Sequence, residues 1–213
     1  MDDGGGDLSK ERLQAFYDAM LAIVMTIVVL EFKVPDGFDP ESMYELGQTA
    51  IAYTISFFWL GTMWVGQHNQ MQMISRVDAR TPWWFLILMF FCSFFPFLTE
   101  LIAKNFFDPW AQLLYGVDVM VIAIVNSLMF RNLMKANPDN EVFREVRKRG
   151  EWITVADAII KAVGIIVGFL FYPPAVLVSI VIAGLLYVYE EVRMDPGRKE
   201  QIRKAREADP GVE

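Results

Sequence analysis

Five ionisable side chains lie in or beside otherwise apolar runs, and they are the residues with chemistry to offer. Asp18 stands near the start of an almost wholly apolar stretch, 15–30. Asp118 falls inside a second run, close to Asn126, and Asp157 and Lys161 fall inside a third. A charge at bilayer depth is costly, so such groups face protein or water and find partners. Asp157 and Lys161 are four residues apart on one helix face and can neutralise each other. The functional alternative for that pair is a proton or ion relay. Asp118 suits either an interhelical hydrogen bond or the wall of a water-filled route. His68 is the single histidine, and no Cys or His stands at ligand spacing from it, so no metal site is expected.

Enzymatic chemistry is missing from the pattern. There is no Gly-rich phosphate loop and no nucleophile elbow, and no carboxylates are paired at a spacing suited to hydrolysis. The expectation is a non-enzyme without a cofactor. The potassium-filter sequence Thr-Val-Gly-Tyr-Gly is also absent, so no P-loop selectivity filter is expected.

The elements that must hold these groups are membrane helices. The chain has 213 residues, 54% of them hydrophobic, bunched into six runs: 10–34, 46–67, 82–104, 109–131, 152–172 and 174–192. Each approaches the ~20 residues that cross a bilayer, the last being the shortest. The fold class expected is an all-α polytopic integral membrane protein with six transmembrane helices per subunit. Residues 1–9 read as a disordered N-terminus that a Ser9 cap closes off, 10–193 as the membrane domain and 194–213 as a tail. Acidic residues replace a basic leader region, so no cleavable signal peptide is read. With both termini cytoplasmic, sixteen of the 19 Lys and Arg residues fall on the inner side. The outer side then carries seven acids against Lys33 and Lys104, a surface that concentrates cations. Nucleic acid is not an expected partner: the net charge is −7 and the basic residues sit where topology requires them.

At ~100° per residue, Phe16, Met20, Ile23, Ile27 and Leu30 share one narrow arc of the first helix. Ala15, Ala19, Ala22 and Thr26 form a small-residue strip beside it, and Asp18 points nearly the opposite way. Periodicity alone is satisfied by an ordinary packed helix in a bundle.

The order Arg12, Phe16-Tyr17-Asp18, Ala22-Ile23, Thr26, then a Leu30-Glu-Phe-Lys-Val-Pro35 exit resembles the lysosomal potassium channel family, transmembrane protein 175, and its prokaryotic homologues. The family pattern is Arg, three residues, Phe-Ser-Asp, and Tyr17 departs from it. The resemblance implies a potassium-preferring cation channel, a homo-oligomer with a tetramer expected, in the bilayer of a prokaryotic cell membrane. It implies that first helices line the pore, with Ile23 as the narrowest ring and Ile27 and Leu30 above it. Thr26 and Glu31 would be the polar groups beside that path. The family's histidine at the end of its second helix, after a tryptophan, matches Trp64 and His68, so Arg12, Asp18 and His68 are expected to form an interhelical polar network. The alternative function is a cation- or proton-coupled secondary transporter using Asp118, Asp157 and Lys161.

Three local expectations remain. Pro96 should kink the third run. Gly164 and Gly168 should give a close-packing face. Residues 131–150 form the longest hydrophilic insertion, of which 141–149 can extend as helix.

Overall fold

The computed structural model describes residues 10–208 except Lys33, Asp36 and Ser75, and only the backbone of Glu31, Arg149 and 194–208. The proposed Ser9 cap and the N-terminal tail lie outside the described residues. The described residues form helices and no strand: α1 Lys10–Val28, α2 Pro40–Met71, α3 Thr81–Cys92, α4 Phe95–Lys104, α5 Pro109–Ala136, α6 Glu141–Leu170 and α7 Ala175–Ala208. A single 3-10 turn, Val29–Glu31, extends α1.

Helix boundaries follow local chemistry. The Asp-Pro pairs start two helices in the same way. The Asp39 carboxylate accepts from the Glu41 and Ser42 amides, both at 3.1 Å, and Asp108 accepts from Trp110 and Ala111 at 2.8 and 2.9 Å. In each case proline takes the first helical position, where no N–H is needed. The Ser42 hydroxyl, with these amides, holds the Asp39 carboxyl below its usual pKa. The third apolar run is split between α3 and α4. Pro96 has no N–H to continue the ladder, so the helix restarts at Phe95 with proline in its first turn. The Ser93 hydroxyl takes up the Phe90 carbonyl at 2.7 Å.

The hydrophilic insertion turns out to be mostly helix. α5 runs on to Ala136 and α6 starts at Glu141. Asn140 caps α6 by accepting from the Phe143 amide at 2.8 Å and donates to the Met73 carbonyl at 2.6 Å. Asn137 both accepts from the Arg76 amide and donates to its carbonyl, each at 2.9 Å. Two asparagines thus stop one helix, start the next and tie the turn to the α2–α3 connection.

Side-chain packing joins the helices into one bundle. Trp59 stacks on Phe95 at 4.9 Å, and Phe95 tilts against Tyr115 at 5.3 Å. A buried chain of hydroxyls crosses the same layer: Thr99 donates to Ser56 at 2.8 Å, and Ser56 pairs with Tyr115 at 2.9 Å. Away from water each of these groups needs a partner, and the chain supplies one. The α6–α7 hairpin closes on Gly164 and Gly168, where a methyl group would fall 2.2 Å from Ser179 Cβ and 2.6 Å from Val176 Cγ2.

Among the described residues, four segments are long and apolar enough to cross a membrane: Thr81–Lys104, Pro109–Ala136, Gly150–Leu170 and Ala175–Arg193. The first two helices are more polar. α1 opens on Lys10, Glu11 and Arg12 and carries Asp18, while α2 interleaves Gln, Thr, Gly and Trp with its apolar residues. Inside the third of the four segments, Lys161 holds Asp157 with two contacts of 2.7 and 2.8 Å and lies over the Trp59 ring at 5.4 Å. Each charge there neutralises the other.

Candidate pore-lining helix

α1 is apolar on two faces that meet different surroundings. Leu13, Tyr17, Leu21, Val24 and Val28 repeat every three or four residues and are buried against α2, α3 and α4. Tyr17 takes a core place: its ring stands edge-on to Phe85 at 5.5 Å. Phe16, Ile23, Ile27 and Leu30 repeat at the same period on another side and are 45%, 54%, 39% and 73% exposed. None of the described residues buries that second stripe. Met20 is half-buried at its edge. Ala15, Ala19 and Ala22 are exposed beside it and leave room for another helix to approach closely.

The polar residues on α1 are held in specific ways. Thr26 donates its hydroxyl proton back to the Ala22 and Ile23 carbonyls at 3.0 and 2.9 Å. Thr26 is itself exposed on the side of the second stripe. Glu31 closes the 3-10 turn, and its side chain lies outside the described residues.

Trp64 links Asp18 to His68. The indole N–H donates to Asp18 Oδ1 at 2.8 Å, and the indole ring stacks on the His68 imidazole at 5.3 Å. Gln14 meets His68 Nδ1 at 3.2 Å and Gln72 meets Nε2 at 2.8 Å. Asp18 and His68 therefore share one α1–α2 cluster, joined through a tryptophan. Arg12 is exposed one turn further towards the start of α1. Gln14 and Gln72 were not among the expected members. The register signals both, because Gln14 precedes Asp18 by four residues and Trp64, His68 and Gln72 follow one another at intervals of four.

Asp118 is 8% exposed on α5 and takes no part in this cluster, and neither does the Asp157–Lys161 pair on α6. Among the described residues no group of three or more His, Cys, Asp or Glu is arranged to hold a metal.

Residues 12–96, which span α1 and its packing partners α2, α3 and part of α4, match the profile of the family described as endosomal/lysosomal potassium channel TMEM175. A protein from Chryseobacterium sp. named a potassium channel is 30% identical over 195 residues, which is 91% of this chain and all of that protein. The chain belongs to the TMEM175 family. A family member from Chamaesiphon minutus, also named a potassium channel, is 30% identical over 59% of this chain and 66% of its own length. Human TMEM175, named an endosomal/lysosomal proton channel, is 27% identical over 60% of this chain but only 26% of that longer protein. The fold agrees with the crystal structure of a lysosomal potassium-selective channel TMEM175 homolog from Chamaesiphon minutus. The TM-score is 0.63 at 22% identity, covering 86% of this chain and 97% of that one. The chain is thus an all-helical integral membrane protein of an ion-channel family.

Proposed function

We propose that this protein is a potassium-preferring cation channel whose pore is lined by α1 helices from four copies. The observation that carries the reading is the exposed stripe Phe16, Ile23, Ile27 and Leu30 on a helix whose neighbouring face, Leu13, Tyr17, Leu21, Val24 and Val28, is packed in the core. Family membership supports it, as do relatives that are named potassium channels. Ile23 forms the narrowest ring, with Ile27 and Leu30 above it. Closely set isoleucines exclude water, and a small change in helix tilt admits it, so the same ring can gate. Thr26 offers oxygen lone pairs to a partly dehydrated ion, and Glu31 gathers cations at the outer mouth. Six spans, with α3 and α4 acting as one broken helix, put both termini in the cytoplasm of a prokaryotic cell. The Arg12, Asp18 and His68 group holds α1 against α2 and stays out of the ion path.

The test is a reversal potential. Purified protein is reconstituted with potassium and sodium in opposed gradients and a separate pH gradient. A reversal near the potassium equilibrium value is expected. A reversal that follows the proton gradient would instead place the chain with the family's proton channels. Flux that saturates and couples to a second solute would favour a transporter working through Asp118, Asp157 and Lys161.

A further inference from the structure

A cavity of about 580 Å³ lies between α2, α5, α6 and α7. Its α2 wall includes Trp59, Met63, Gln67 and Gln70, whereas Trp64 and His68 on the same helix meet α1. The volume is in the range of pockets that bury a drug-sized ligand.

Two groups of lining residues say what it takes. Gln67 Oε1, Gln70 Oε1, Asn126 Oδ1 and Glu190 Oε2 are shielded from solvent and have no hydrogen-bond partner. Gln67 is 2% exposed and Glu190 7%. Among the described residues the ion-pair partner of Glu190 is Arg193, and at 3.7 Å it stands beyond hydrogen-bond reach. Leaving a buried acceptor unmade costs about 1–3 kcal/mol. All four are acceptors, so the missing group is a donor. Arg131 and Arg147 line the same cavity. Arg147 gives one of its five N–H groups to Ser127 at 3.2 Å and lies over Phe130 at 5.8 Å.

Position within the membrane adds a third constraint. Arg147 precedes the segment that begins at Gly150, and Glu190 precedes Arg193, where the α7 segment ends. Arg131 lies in the last turns of Pro109–Ala136. The charged end of the cavity is therefore at headgroup level. From Arg147 to Lys161 the α6 wall runs inward by about 21 Å, more than one leaflet of a ~30 Å hydrocarbon core. Ile124, Leu128, Val155 and Ile159 line the cavity and are also exposed, so it opens sideways towards lipid. Lys161 at the deep end is already neutralised by Asp157.

We propose that this cavity is a binding site for one aminophospholipid. Arg131 and Arg147 take the phosphate, the orphaned oxygens of Glu190 and its neighbours take the primary ammonium, and an acyl chain follows the apolar wall. Recognition depends on the N–H donors. A choline headgroup has the same charge and no donor, so the site discriminates against it.

Native mass spectrometry of the purified assembly, exchanged in turn against dioleoyl phosphatidylethanolamine, phosphatidylcholine and phosphatidylglycerol, tests this without any conduction assay. Retention of the ethanolamine lipid should exceed the choline lipid by about tenfold or more, as one charge-assisted bond suffices for that ratio. The glycerol lipid, with phosphate but no ammonium, should fall below the ethanolamine lipid. Glu190→Gln and Asn126→Leu should each reduce the ethanolamine preference, and Arg131→Gln should lower retention of all three. Equal retention of the three lipids by the unaltered protein overturns the proposal and leaves water or a neighbouring copy to fill the cavity. An ethanolamine preference unchanged in both variants overturns it as well.

Discussion

Ile23→Asn should raise potassium flux through the reconstituted protein by about tenfold or more, while leaving the fold intact. Ile23 is 54% exposed in the subunit, so its replacement removes no core contact. Two residues earlier, Leu21 is fully buried, and truncating it would cost stability instead. In an assembled pore every copy contributes its Ile23. Each isoleucine removed from the wall takes away about 1.5–3 kcal/mol of preference for a dry environment. Lowering the barrier to hydration by about 1.4 kcal/mol is enough for a tenfold change in rate. Ile27→Asn should have a smaller effect, because that ring is wider in the proposed arrangement. Unchanged conductance and selectivity in a well-assembled Ile23→Asn protein would remove Ile23 from the constriction.

Gly164→Ala and Gly47→Ala should shift thermal stability in opposite directions. A Cβ at Gly164 would meet Ser179 Oγ at 2.0 Å and Ser179 Cβ at 2.2 Å, with the Ala175 carbonyl at 3.3 Å. Ser179 Cβ is fixed to the α7 backbone, so the helices themselves must separate. Overpacking of that kind costs about 1–3 kcal/mol and would be felt along the whole α6–α7 hairpin. Gly47 lies in α2 with nothing within 4 Å of the added methyl. There alanine only removes the entropy cost of glycine in a helix, a gain of about 0.5–1 kcal/mol. Unfolding midpoints of the two variants in the same detergent decide the matter. A Gly164→Ala protein as stable as the unaltered one would mean that the hairpin is not held by this close approach.

Much of this architecture is legible in the sequence because periodicity and punctuation are local. The exposed stripe of α1 follows from its 3.6-residue repeat, and the Asp-Pro starts of α2 and α5 and the break before Pro96 follow from backbone chemistry. The close-packing face at Gly164 and Gly168 follows from small residues four apart. Within 131–150 the helix over 141–149 is legible, but hydrophilic composition masks the run of α5 on to Ala136, and the stop depends on Asn137 and Asn140 bonding to a distant turn. The joining of Asp18 to His68 through Trp64 depends on how α1 and α2 cross, which no single-helix pattern contains. The same holds for the cavity. Gln67, Asn126 and Glu190 stand far apart in sequence, and only the packing of α2, α5 and α7 gathers them around one space.

Cysteine accessibility along α1 tests most directly whether its exposed stripe lines the ion path. The native Cys92 is fully buried and supplies a quiet background. Single cysteines at positions 23, 26, 27 and 30, and at 24 and 28 on the packed face, would be treated with a charged, membrane-impermeant thiosulfonate while potassium current is recorded. Modification should alter the current at 23, 26, 27 and 30 and leave it unchanged at 24 and 28. Current changes at 24 and 28 with none at 23 and 27 would contradict the pore proposed here and move the ion path to another face of the bundle.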